Sequence, residues 1–228
     1  MLKNISNLGD AALYCDFGIQ VNKATNLEVI KYFNTIREKK IKGINNLTPS
    51  YNKLIISFDL RVTNFSEIKN AIENLDTITE QNKNSKKIEV PVCCDKNFAL
   101  DKSRLEKKLN LSYQEILTKF FDKEYFCYMT GFIAGMPFLG DIDENLRTQR
   151  LETPRVKVPR GSVGITEQFA NIYTFDSPGG WNIIGNTPFK IFDDSKERDP
   201  NLINPGDTVI FKKISRKEYE SINEKQLF

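Results

Sequence analysis

The spacing of hydrophobic residues changes several times along the chain, and each change predicts an element. AALYCDFG is a short apolar and aromatic run ending at a glycine, which reads as a strand. Leu27, Ile30, Phe33 and Ile36 then recur at helical spacing behind Thr25 or Asn26, either of which suits an N-cap. KLIISFDL (53–60) returns to a compact strand. Ile68, Ala71, Ile72 and Leu75 follow the i, i+3, i+4, i+7 pattern of one helix face, with Asn64 and Glu67 as a capping pair. This order predicts a small N-terminal α/β sandwich over residues 1–85, of the β-α-β-β-α-β kind.

The stretch TEQNKNSKK (79–87) lacks any large apolar side chain and predicts a linker or exposed loop, which sets the domain boundary. IEVPVCC resumes as a strand. Asp101 is placed to open a short helix, and Ser112 with Glu115 forms an S-x-x-E capping box for another. From Tyr125 onward the runs YFCYMTGF, SVGI, NIYTF, WNIIG, FKIF and TVIFKKI are separated by Gly, Pro and Asp. Short β-type runs at that spacing predict a closed or partly closed barrel over 86–228. The expected fold class is therefore α+β.

Composition narrows the chemistry. With 33 basic and 30 acidic residues the net charge is only +3, so nothing drives the chain as a whole towards nucleic acid or membrane. No apolar run approaches the ~18 residues that span a bilayer, and the N-terminus carries no secretion signal. Four cysteines, two of them adjacent and none in C-x-x-C spacing, argue against a zinc site or a disulfide framework. A cytoplasmic chain with reduced thiols is expected. There is no histidine. Ser-His-Asp and Cys-His nucleophiles, His bases and His-ligated metals are thus excluded within this chain.

Four segments could carry function. In RTQRLETPRVKVPRGSVGI (147–165), Arg147, Arg150, Arg155, Lys157 and Arg160 face a single acid, Glu152, and Gly161 and Gly164 bracket Ser162. Such a segment is either a solvated basic loop or an anion site, with Arg binding bidentately and glycine turns aiming amides. It is not a phosphate-binding loop of the G-x-x-x-x-G-K-[ST] type. DIDENLRTQRLE matches an EF-hand template at Asp141, Asp143, Asn145 and Glu152, but Leu146 stands where the sharp turn requires glycine. The match is accidental, and Asp143 is expected to cap one helical turn. GFIAGMPFLGDID combines Gly135, Pro137 and other turn formers, as a ligand loop or a packed barrel corner would. In DSPGGWNIIG, Pro178-Gly179 suits the centre of a type II turn. Trp181 then shares a strand face with Ile183, opposite Asn182 and Ile184, and is either core or displayed.

Taken together, GFIAGMPFLGDID, TPRVKVPRGSVGI, NIYTFDSPGGWNIIGNTP and NPGDTVIFKKIS resemble, in order and spacing, the KipI / PxpB / allophanate hydrolase subunit 1 family. LGDAALYCDFG and IEVPVCC fit as well, so the resemblance spans nearly the whole chain. It implies a cyclophilin-like barrel as the second domain. It also implies a subunit 2 partner of the PxpC or KipA type and a PxpA-type third subunit. Together these form an ATP-dependent 5-oxoprolinase that opens 5-oxo-L-proline to L-glutamate. Alternatives within the family are a KipI-type inhibitor of a sensor histidine kinase and one half of a biotin-dependent carboxyltransferase. On the oxoprolinase reading, Arg155, Lys157 and Ser162 are the expected catalytic residues. Arg160, Gly161, Gly164, Gly135 and Pro137 are the expected anion or substrate contacts. Ser177, Pro178, Gly179, Gly180 and Trp181 are the expected partner surface. ATP would be bound by the complex, no metal by this chain, and this chain alone would be inactive. Two positions depart from the family: Phe120 replaces a usual histidine, and Ala134-Gly135 replaces a usual Pro-Gly.

Overall fold

The computed structural model describes residues 2–76 and 85–225. It divides into two compact units, Met1–Ser85 and Lys86–Phe228. Most of the expected linker, residues 79–84, lies outside the described residues.

In the first unit, β1 (Asn4–Asn7), β2 (Ala12–Asp16), β3 (Ile44–Pro49) and β4 (Lys53–Phe58) form an antiparallel sheet of order β1-β2-β4-β3. Helices α1 (Lys23–Lys39) and α2 (Phe65–Glu73) follow β2 and β4. The order is thus β-β-α-β-β-α, which corrects the expected β-α-β-β-α-β: NISN, too polar to read as a strand, pairs residue by residue with β2. Alternation buries Leu54, Ile56 and Phe58 of β4 and Leu13 and Cys15 of β2 against Val29, Ile36, Ile68 and Ile72. Asn22, not Thr25 or Asn26, caps α1 by accepting from the Thr25 amide. Asn26 is instead fully buried and donates to the carbonyls of Ser50 and Tyr51. Asn64 caps α2 as expected, while Glu67 turns to the Thr63 hydroxyl.

The second unit opens with β5 (Lys87–Cys93), α3 (Lys102–Leu109) and α4 (Tyr113–Phe121), the last held by the Ser112–Glu115 capping box. Then come β6 (Glu124–Thr130), β7 (Pro137–Gly140), β8 (Arg155–Val158), β9 (Ser162–Thr166) and β10 (Phe169–Ile172). The unit ends with β11 (Ser177–Gly179), β12 (Asn182–Asn186), β13 (Thr208–Ile214) and α5 (Arg216–Lys225). Seven strands close a barrel in the order β10-β7-β6-β13-β5-β12-β9. An odd ring cannot be antiparallel throughout, and the parallel pair is β13 with β5. Asp143 caps the single turn Glu144–Leu146, as expected.

Two local expectations are corrected. Pro178-Gly179 is no turn centre but part of β11, which pairs with β8 outside the ring. FKIF does not form a strand; Phe192 makes one isolated bridge to Asn201.

Period-two alternation splits the barrel walls into two faces. Leu139, Val163, Ile165, Ala170, Ile172 and Ile184 point inward and join Val90, Val92, Val209 and Phe211 in the main core. Their neighbours Phe138, Gly164, Asn171 and Ile183 therefore face outward. Phe138 and Ile183 belong to a second, smaller cluster with Met136, Val158, Tyr173, Ile133 and Trp181.

Candidate functional site

The outer face of β7, β10, β9 and β12 carries a polar group where an ordinary barrel wall would be apolar. Asn171 sits in register with Phe138 on one side and Gly164 on the other, and Gly164 with Ile183. Gly164 is fitted to this arrangement. A Cβ there would stand 2.8 Å from Asn171 Oδ1, 3.0 Å from Trp181 Cβ and 3.3 Å from Ile183 Cδ1. The glycine thus leaves room for the amide and the indole to approach one another. The Trp181 ring meets Phe138 edge-on at 5.6 Å between centroids. The β8–β11 pair lies alongside, and Gly179 runs so close to Tyr173 that a Cβ would fall 2.1 Å from the phenol oxygen.

Arg155 and Asp101 fix the charge of this region. Arg155 Nη2 donates to Asp101 Oδ1 at 2.6 Å, and Asp101 Oδ2 accepts from the Ile183 amide at 2.7 Å. The Asp101 carboxylate is therefore consumed by tertiary bonds and gives no side-chain cap to α3, although it precedes that helix. Its own N–H donates to the Ile183 carbonyl. The second amino group of Arg155, Nη1, is buried without a partner. So are Ser177 Oγ and Asn171 Oδ1, while the Asn171 amide N–H faces the Tyr173 phenol. These three are among six buried side-chain atoms in the described residues without a close partner, so unmet hydrogen bonding concentrates here. A buried polar group without a partner costs about 1–3 kcal/mol, and native folds keep few of them. Burial raises the Tyr173 phenol pKa, opposed by hydrogen bonds from the Asn171 side chain and the Trp181 backbone and by the Arg155 charge.

The other expected site residues are placed differently. Lys157 is exposed and pairs with Asp176 at 2.7 Å, so Arg155 and Lys157 hold different carboxylates. The Lys157 bond, helped by the Arg160 amide, keeps the Asp176 carboxyl below its ordinary range. Arg160 has its backbone fixed at both ends: its N–H donates to Asp176 and its carbonyl accepts from Asn186. The amides of Gly161 and Ser162 donate to the carbonyls of Tyr173 and Pro159. That corrects the expectation that this turn aims free amides at an anion. Gly161 (φ 79°) is required by packing, since a Cβ would lie 2.4 Å from the Thr187 carbonyl oxygen. Gly135 (φ 67°) is pressed against Phe192 in the same way. Ser162 and Pro137 are buried in β9 and β7. Of the expected partner surface, Pro178 is exposed, Ser177, Gly179 and Gly180 are buried, and Trp181 is half-buried.

Phe120 lies in the main core, stacked on Phe211 at 4.9 Å and beside Tyr125, and not in the outer-face cluster. A surface cleft of about 320 Å³ lined by Arg147, Thr148, Gln149, Glu167 and Gln168 takes one cation of the basic segment, Arg147, and none of the residues expected to act in catalysis, anion or substrate contact or partner binding. Sequence reasoning missed Asn171, Tyr173 and Asp101 as site residues. A signal for the first was present: an amide between Ala170 and Ile172 in mid-strand, where β-propensity disfavours asparagine.

Known proteins share this architecture. Residues 3–203 match the family model described as carboxyltransferase domain, subdomain C and D. The chain belongs to this family. It is 32% identical to the B-type subunit of 5-oxoprolinase from Bacillus subtilis, over 96% of each chain. It is 37% identical to the protein of the same name from Haemophilus influenzae, over 75% of this chain and 76% of that one. Among solved structures, TTHA0988 superposes with a TM-score of 0.81 at 26% identity, over 90% of this chain. The match spans only 40% of TTHA0988, so the same fold there is one part of a longer polypeptide. Urea amidolyase of Kluyveromyces lactis matches 97% of this chain and 15% of its own length, with a TM-score of 0.78. At 18% identity that likeness shows the fold alone.

Proposed function

We propose that the chain is the B-type subunit of an ATP-dependent 5-oxoprolinase, acting with a PxpC-type second subunit and a PxpA-type third subunit. The observation that carries this reading is the likeness, over 96% of both chains and at 32% identity, to the B-type subunit of 5-oxoprolinase from Bacillus subtilis. Opening the lactam requires transfer of the ATP γ-phosphoryl group to the lactam oxygen, with release of ADP. Water then adds at the lactam carbon and the C–N bond breaks with proton transfer to the nitrogen, leaving an acyl phosphate that a second water hydrolyses to glutamate and phosphate. An amide oxygen is a weak nucleophile, so positioning and charge stabilisation carry much of the work.

This chain would contribute anion recognition. The guanidinium of Arg155 is held in place by Asp101 and keeps Nη1 buried and unpartnered. A preorganised donor of that kind suits the substrate carboxylate or the transferring phosphate. Lys157 and Arg160 would add a softer, screened field at the rim. Partner contact would fall beside the cluster, where Phe132 (70% exposed, φ 69°) and Val156 (89% exposed) adjoin clustered Ile133 and Val158. A phenylalanine held at positive φ is strained, and such strain is retained where a loop has work to do. The experiment is co-expression with candidate second and third subunits and measurement of 5-oxoproline-dependent ATP hydrolysis. Activity only with all three supports the reading. Full activity of this chain alone, or none in any assembly, refutes it.

A further inference from the structure

We infer that the cleft lined by Arg147, Thr148, Gln149, Glu167 and Gln168 is a site for an α-amino acid, with its carboxylate on Arg147 and its ammonium on Glu167. The identity of the occupant rests on the oxoprolinase reading, which makes it the product, L-glutamate. At about 320 Å³ the cleft stands at the small end of ligand sites and suits a molecule of that size. It offers both charges with little spent inside the chain. The Glu167 carboxylate makes no hydrogen bond or ion pair among the described residues. The Arg147 guanidinium reaches only Glu144 there, at 3.9 Å, and that side chain is 85% exposed. A guanidinium takes a carboxylate through two parallel bonds, and a carboxylate accepts from an ammonium.

The walls of the cleft are preformed. The Thr148 carbonyl accepts from the Glu167 amide at 2.7 Å and from the Thr166 hydroxyl at 3.1 Å. The Gln149 carbonyl accepts from Asn182 Nδ2 at 3.1 Å, and Gln168 Nε2 donates to Asp141 at 3.3 Å. Glu167 and Gln168 are the two-residue loop of the β9–β10 hairpin, since Thr166 pairs with Phe169. Such loops favour Gly, Asn or Asp because their first position takes a positive φ. Here a glutamate holds φ 45°, at a backbone cost that the hairpin does not require. A local rule broken where an unpaired carboxylate lines a cleft points to ligand binding. Opening the lactam supplies the matching charge, because the neutral ring N–H of 5-oxoproline becomes the ammonium of glutamate. Arg147 and Glu167 together thus tell product from substrate.

The test titrates the full chain with L-glutamate, 5-oxo-L-proline and glutarate, read by the NMR amide shifts of Thr148, Gln149, Glu167 and Gln168. L-Glutamate should bind with a Kd on the order of 1 mM, as befits a small ligand in an open cleft. 5-Oxoproline and glutarate lack the ammonium and should bind about three- to tenfold more weakly. Glu167→Gln, an exposed substitution of the same shape, should erase that preference, and Arg147→Gln should weaken all three. Added salt should weaken L-glutamate binding. Absent L-glutamate binding, equal affinity for the three, or a preference that survives Glu167→Gln overturns the site. None of these readouts involves turnover. If no assembly opens 5-oxoproline, the oxoprolinase reading falls, and the same titrations still decide the amino-acid site on their own.

Discussion

Arg155 and Lys157 are two residues apart on one short strand, yet they live in different physical regimes. Arg155 is 26% exposed and grips a carboxylate, Asp101, that is 4% exposed; Lys157 is 68% exposed and meets an Asp176 that is 50% exposed. In the sequence both are cations in one basic run. In the fold one is a structural strap between the start of α3 and the β8–β11 pair, with a donor left over. The other is a screened surface pair. A basic segment is therefore not a single site, and the useful cation is the one fixed by a buried partner.

The largest expected effect follows from removing that strap. Arg155→Ala should destabilise the second unit by about 2–3 kcal/mol, because it leaves Asp101 buried and unpaired. The figure stays below that for a fully buried pair since a quarter of Arg155 remains exposed. Denaturant unfolding checks it, and a midpoint equal to wild type would erase the contrast with Lys157.

Trp181→Ala comes next, at about 2 kcal/mol, for loss of the contact with Phe138 from a half-buried position. Acrylamide should quench the wild-type indole to an intermediate degree, and addition of the second subunit should shift its emission. Asn171→Leu should change the melting temperature little, since it replaces an amide whose one partner is the Tyr173 phenol with an apolar group of the same size. A clear drop would mean that the amide is fully satisfied, by Tyr173 and by ordered water.

Lys157→Ala should cost no more than about 0.5 kcal/mol. Its pH signature is specific. The Asp176 carboxyl is lowered from its usual 3.8 in the fold, so the pair contributes fully above that value and is lost as pH falls through the lower folded value. The small stability difference between wild type and Lys157→Ala should accordingly vanish in acid. Persistence of that difference in strong acid, where the carboxyl is protonated in both the folded and the unfolded chain, would break the assignment.

Local signals made much of the fold readable. The capping box at Ser112 and Glu115, the caps at Asn64 and Asp143, and the facing of Trp181 with Ile183 against Ile184 depend only on near neighbours. What failed depended on long-range pairing. NISN becomes a strand because β2 offers an edge, and Pro178-Gly179 becomes a strand because β8 does. Asp101 looks like a helix cap by position, but Arg155 and the Ile183 amide, 54 and 82 residues away, claim its carboxylate. The site divides the same way. Arg155 was legible as a cation, whereas its isolation from Lys157 and its company with Asn171 and Tyr173 arise only when the barrel closes.

The most direct measurement compares Arg155→Lys with Lys157→Ala and Arg160→Ala in the proposed three-subunit assembly, assayed for 5-oxoproline turnover. Arg155→Lys keeps a charge for Asp101 but loses the second amino group. It should stay folded and lose about ten- to a hundredfold in kcat/KM for 5-oxoproline, the value of one charge-assisted hydrogen bond. The two rim variants should stay within about threefold of wild type, as befits exposed charges. Near-wild-type activity in Arg155→Lys, with collapse in either rim variant, would place the working cation in the solvated segment and contradict the account.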